Sequence, residues 1–137
     1  MYDIHWKSME RLAQDGNLNK VHLRYNSNLS RVRFGKHYLY DWLPQAKDWT
    51  MCASIDGTGE IGEYIRTGLN WEQWDKNFRE GVALPGGNDK MLMDLTITGP
   101  GIFDLKNLNK ILINAQNLAK NNSYDFQKKL WLNFLLF

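Results

Sequence analysis

The chain reads as an α+β domain: an antiparallel sheet of about five strands with helices packed on one face, in the order α-β-β-β-β-α-β-α-α. Three observations predict it. Residues 20–25, 31–40 and 49–55 alternate apolar and polar side chains with the period of a strand. Residues 3–15, 71–80 and 105–119 repeat apolar residues with the period of a helix. The first strand segments follow one another across short turn sequences, as hairpins do and as β-α-β units do not.

Residues 3–15 form the first helix. Asp3 caps it, Ile4, Met9 and Leu12 supply a partial apolar stripe, and Gly16 stands where a C′ glycine belongs. Lys20–Tyr25 places Val21, Leu23 and Tyr25 on one face of a strand, and Arg31–Tyr40 places Val32, Phe34, Tyr38 and Tyr40 on one parity. Asn26-Ser27-Asn28-Leu29 between them is turn chemistry, so the two strands are expected to pair as a hairpin. A turn centred on Ser27-Asn28 sets Arg24 opposite Arg31, His22 opposite Arg33, Leu23 opposite Val32 and Val21 opposite Phe34. That register sorts charged from apolar faces, whereas a one-residue slip mixes them. It also sets like charges opposite one another, which costs stability unless solvent or an anion relieves it. A bulge at Gly35 would decide whether Lys36 or His37 joins the basic face.

Two more strands are expected at Trp49–Ile55 and Glu60–Arg66, joined by Asp56-Gly57-Thr58-Gly59. Asn70 then caps a helix with Gln73 three residues on, Trp71, Trp74 and Phe78 share a face, and Gly81 stops it. Leu84-Pro85-Gly86-Gly87-Asn88-Asp89 reads as a loop without the Lys-Ser/Thr of a P-loop. Met91–Thr98 is apolar on both parities, as a central strand would be, and Gly99-Pro100-Gly101 ends it. Asp104 caps the longest helix, with Leu105, Leu108, Ile111, Leu112, Ala115, Leu118 and Ala119 at amphipathic spacing. A last helix is expected from about Ser123, carrying Phe126, Leu130, Trp131, Phe134 and Leu135.

Composition bounds the function. At 137 residues and 43% hydrophobic content, the chain is expected to be a single packed domain and not a disordered segment. A single cysteine, Cys52, rules out an internal disulfide and fits a reducing, cytoplasmic compartment. With three dispersed histidines and no paired cysteines, no zinc set is expected, and no D-x-D-x-D-G loop supports calcium. No cofactor is expected. The N-terminal residues lack the basic and apolar runs of a secretory signal, and no window has the length of a membrane span. Abundant Asn, Lys and Ile are compatible with a bacterial, phage or mobile-element gene. Four of the last residues, 134–137, are apolar, which points to burial in the domain or across a homodimer seam.

Charge is the strongest functional signal. Residues 16–40 hold Lys20, Arg24, Arg31, Arg33 and Lys36 without a carboxylate, beside His22 and His37. Residues 41–75 hold Asp41, Asp48, Asp56, Glu60, Glu63, Glu72 and Asp75 against only Lys47 and Arg66. A one-sign patch concentrates oppositely charged partners. Lys20, His22, Arg24, Arg31, Arg33 and Lys36 are therefore the candidate ligand-binding residues of a basic hairpin that docks an anionic ligand or an acidic protein. Nucleic acid is a less favoured partner: the aromatic residues of the hairpin turn toward the core, and the pI of 8.6 is modest for a dedicated binder.

Two alternatives belong to other classes. His22 and His37 among cations supply the residue types of a metal-independent ribonuclease, although their spacing matches no specific motif. The acidic 41–75 segment would suit an immunity-type protein that neutralises a basic partner. Paired acids and six tryptophans could also suggest a sugar site, but Trp71, Trp74 and Trp49 fall on faces expected to be buried. Gly57-Thr58-Gly59-Glu60-Ile61-Gly62 matches G-x-G-x-x-G, which binds a pyrophosphate only where a helix starts inside it. The residues after it look extended and Glu60 would sit at the anion, so a turn between strands is expected instead.

Overall fold

A computed structural model describes residues 3–120. The expected helix from Ser123 and the apolar terminus invoked for a homodimer lie outside the described residues. The elements are α1 (Asp3–Gln14), β1 (His22–Ser27), β2 (Arg33–Phe34), β3 (His37–Tyr38), α2 (Leu39–Trp42) and β4 (Asp48–Ile55). They continue with α3 (Gly59–Ile65), α4 (Trp71–Val82), α5 (Gly87–Lys90), β5 (Met91–Leu95) and α6 (Leu105–Lys120). Single 3-10 turns occupy Leu18–Lys20, Leu43–Gln45 and Pro100–Asp104.

The class is α+β, but the sheet is not the antiparallel one expected. A three-stranded parallel sheet runs in the order β1-β4-β5, and β2-β3 form a separate antiparallel pair. The expected pairing of Arg24 with Arg31 does not occur. Ser27 Oγ accepts the Leu29 N–H at 3.1 Å and Asn28 Oδ1 accepts the Ser30 N–H at 3.2 Å. Leu29 takes a left-handed φ of 50° with its side chain wholly buried. Asn26 and Ser27 thus continue β1, and Leu29 beyond them plugs into the core in place of a hairpin turn. Burying a leucine side chain stabilises by roughly 1.5–3 kcal/mol. The parallel register also removes the charge conflict, because His22 now lies beside Asp48 and Arg24 beside Thr50.

The chain between β1 and β4 folds up locally. Gly35-Lys36 makes a two-residue turn, with Arg33 beside Tyr38 and Phe34 beside His37, so Gly35 is a turn and not a bulge. After Tyr38 the expected strand becomes α2, and the chain returns to lay β4 alongside β1 in parallel.

β4 is the central strand and β5 an edge, reversing the expectation for Met91–Thr98. Trp49, Met51, Ala53 and Ile55 bury alongside Met91, Met93 and Leu95, joined by Trp6 and Met9 of α1, Trp74 and Phe78 of α4 and Leu108 and Ala115 of α6. On the opposite face stand His22, Arg24 and Asn26, then Thr50, Cys52 and Ser54, then Leu92 and Asp94. No helix among the described residues is long and apolar enough to cross a membrane.

Several helix ends follow directly from local sequence signals. Asn17 N–H donates to Leu12 O at 2.9 Å and Gly16 N–H to Ala13 O at 3.2 Å, the paired bonds of a Schellman cap with Gly16 at φ 66°. Asn70 Oδ1 accepts the Gln73 N–H at 2.8 Å, as its spacing predicted. Trp71, Trp74 and Phe78 stack in series, with ring centroids 5.6 and 5.0 Å apart. Gly81 has a different job from the stop expected of it: it lies within α4, and a Cβ there would stand 2.6 Å from Met91 Sδ. The expected loop Leu84–Asp89 is helical from Gly87, where the short helix α5 begins and runs to Lys90.

The expected strand Glu60–Arg66 is α3. Ile61 and Ile65, four apart and both half-buried, mark its inward side. A strand would need Gly57 and Gly62 apart, yet a Cβ on Gly62 would lie 2.2 Å from Gly57 O, so loop and helix pack backbone to backbone.

Candidate anion-binding groove

The structure disperses the candidate basic residues and regroups part of them. Lys20 is exposed and donates to Asn17 Oδ1 at 2.9 Å. His22 stands 3.8 Å from Asp48 at the start of the parallel sheet. Arg24 lines a cleft of about 500 Å³ on the polar sheet face, with Asn26, Thr50 and Cys52. Lys36 pairs with Glu10 of α1 at 2.9 Å, and this cation holds the Glu10 carboxyl below its usual range. These four do not share a site with Arg31 and Arg33.

Arg31 and Arg33 face α4 across a groove of about 270 Å³, lined also by Ser30, Gln73, Lys76 and Glu80. Each wall has a local cause. On the loop side, Asn77 Nδ2 donates to Leu29 O at 2.6 Å from within the core, anchoring the segment that presents Ser30 and Arg31. The Arg33 guanidinium lies 3.5 Å from the centroid of the Tyr38 ring, a cation–π contact that fixes its direction. The Arg31 guanidinium lies 6.0 Å from the Phe34 centroid. On the helix side, Gln73, Lys76, Asn77 and Glu80 form one stripe of α4 at three- and four-residue spacing. Gln73 Nε2 donates to Asn77 Oδ1 at 2.8 Å, so the Asn77 amide is held at both ends.

Electrostatically the groove is an open cluster of cations suited to an anion. Arg31, Arg33 and Lys76 are exposed, and none is in an ion pair among the described residues. The opposing acid is Glu80, whose Oε2 accepts the Tyr38 hydroxyl at 2.7 Å. Burial, reinforced by that bond, pushes the Tyr38 phenol up to about 12, and burial alone pushes Tyr25 to about 12. Both values exceed the ordinary 10.0, so the folded protein holds these protons where the unfolded chain releases them. Their stabilisation is complete below pH 10 and is lost as pH rises toward 12. Phenolate absorbance from Tyr25 and Tyr38 is expected to rise together with loss of the circular dichroism of the fold. A phenolate rise that precedes unfolding in wild type and is lost in Y25F and Y38F contradicts it.

The alternative constellations are not assembled. His37 sits 3.6 Å from Glu10 with its ring tilted against Trp42, whereas His22 faces Asp48, and neither described groove is lined by both. Most acids of 41–75 serve internal bonds. Asp48 pairs with Lys90 at 2.7 Å, Asp56 with Arg66 at 2.6 Å and Asp75 with Arg79 at 2.8 Å, and Glu63 accepts the Trp71 N–H at 2.9 Å. Among the described residues no group of His, Cys, Asp and Glu could hold a metal ion.

The glycine motif follows a strand and does open a helix, the context the sequence argued against. Its anion position is nevertheless taken: the buried Asp104 carboxylate accepts the Thr58 N–H and is steadied by Asn107 Nδ2 at 2.8 Å. The motif therefore serves backbone packing, with a protein carboxylate where a phosphate would lie.

Sequence reasoning missed Lys76, Gln73 and Glu80. Helical periodicity puts them on the polar stripe of α4, but nothing in the sequence says that this stripe faces residues 30–33. No protein family matches the chain, and neither a characterised protein nor a solved structure matches it significantly.

Proposed function

We propose that this chain is a binding protein whose Arg31–Arg33–Lys76 groove receives an anionic ligand or the acidic surface of a partner. The observation that carries the reading is the convergence of three cations, without an ion-pair partner among the described residues, on one groove of about 270 Å³. Leaving three like charges together raises their mutual repulsion, and an anion placed between them relieves it. Guanidinium groups suit the task because their fixed forks match carboxylate and phosphate oxygens. Lys20, His22, Arg24 and Lys36 contribute to the wider field and not to this groove.

The test is anisotropy of a fluorescein-labelled polyphosphate and a labelled polyglutamate at low and physiological salt. Wild-type protein is expected to bind at least one of them with steep salt dependence. R31E/R33E is expected to weaken that binding by about tenfold or more, the size usual for loss of central charged anchors. K110E, a charge reversal on the exposed side of α6, serves as the control and is expected to leave affinity within about twofold, as rim charges do. Equal binding by wild type and R31E/R33E overturns the proposal.

A further inference from the structure

The groove is not uniformly basic, and its one acid has a use. Glu80 stands in the lining beside Arg31, Arg33 and Lys76, is half-buried, and is in no ion pair among the described residues. The Tyr38 hydroxyl holds its Oε2, and the same Tyr38 ring carries Arg33, so acceptor and donor are fixed against one scaffold. Glu80 Oε1 is left to accept a hydrogen bond. A ligand suited to this wall carries negative charge toward Arg31, Arg33 and Lys76 and an N–H toward Glu80.

Polymers differ sharply on that requirement. A nucleic-acid backbone repeats phosphates and offers no N–H along its chain, so Glu80 repels it. An extended peptide offers a backbone N–H at each residue together with the carboxylates of Asp or Glu. A helical segment spends its N–H groups on internal i→i−4 bonds, so only an extended segment has a backbone N–H free for Glu80.

The geometry points to an extended acidic peptide segment of a partner protein as the occupant, its carboxylate between Arg31, Arg33 and Lys76 and a backbone N–H on Glu80. This rests on the anion-binding reading and narrows it. A peptide is thereby selected over oligonucleotides by a repulsive element as well as an attractive one.

The experiment uses the full chain and two fluorescein-labelled probes of equal length, an oligoglutamate and an oligothymidylate. Glu80→Gln keeps an acceptor for the Tyr38 hydroxyl and removes only the charge. The expected result is opposite signs: E80Q weakens the peptide by about threefold, since a charged acceptor becomes neutral, and tightens the oligonucleotide. Wild type is expected to prefer the peptide by about tenfold at equal salt, the discrimination one unfavourable charge provides. If E80Q tightens both probes, or the oligonucleotide binds more tightly to wild type, the peptide assignment is overturned while the anion groove stands. If R31E/R33E changes neither probe, the anion groove itself fails.

Discussion

Asn77→Ala is expected to lower stability by about 3 kcal/mol, because it leaves the buried Leu29 carbonyl without its donor and opens a void beneath it. The carbonyl accepts from Asn77 Nδ2 at 2.6 Å, and both residues are shielded from water. The same bond restrains Leu29 in its left-handed conformation, which a leucine adopts only when surroundings compel it. Asn77→Asp separates hydrogen bonding from volume: it preserves shape but aims an acceptor at an acceptor. It is expected to destabilise at least as much as the alanine. Urea denaturation followed by tryptophan fluorescence and circular dichroism measures both. A shift for N77A within about 0.5 kcal/mol of wild type, the range of neutral surface changes, refutes this account. The loop carrying Ser30 and Arg31 loses its anchor in these variants, so anion affinity is expected to fall even under conditions where the protein stays folded.

Gly62→Ala is expected to be of comparable severity, for a steric reason. Its Cβ would stand 2.2 Å from Gly57 O and 2.8 Å from Gly57 C, backbone atoms that move only if the loop after β4 moves. Overpacking of this kind costs about 1–3 kcal/mol and sometimes more. Displacement of the loop also pulls the Thr58 N–H away from the Asp104 carboxyl, adding the loss of a part-buried hydrogen bond. Gly59→Ala is the comparison. No atom lies within 4 Å of its Cβ, and its φ of 49° leaves only backbone strain, on the order of 1–2 kcal/mol. Thermal unfolding of the two variants is expected to rank G62A below G59A. A reversed order removes close packing as the reason for the glycines. Neither variant is expected to alter affinity for a nucleotide, since a protein carboxylate already occupies the loop amide.

The local features of this protein are legible in its sequence. The Asn70 cap, the Gly16 helix stop, the Trp71-Trp74-Phe78 stack and the alternation of β4 each depend on residues a few positions apart, and short-range sterics and hydrogen bonding settle them. Arg31 and Arg33 were legible as charged candidates because charge is a property of the residue. The remaining features depend on contacts between distant segments. Strand alternation is the same in parallel and antiparallel sheets, so the pattern at 20–25 did not reveal its partner. The burial of Leu29 and the placement of His22 beside Asp48 and Arg24 beside Thr50 selected β4 over the following segment. Likewise, Glu60–Ile65 is helical because Gly62 packs on Gly57, a contact that exists only when the loop has closed. The groove itself is a tertiary product: Lys76 and Glu80 meet Arg31 and Arg33 because Asn77 fastens Leu29 to α4. A sequence states which side chains carry charge, but only packing between distant segments brings them within reach of one ligand.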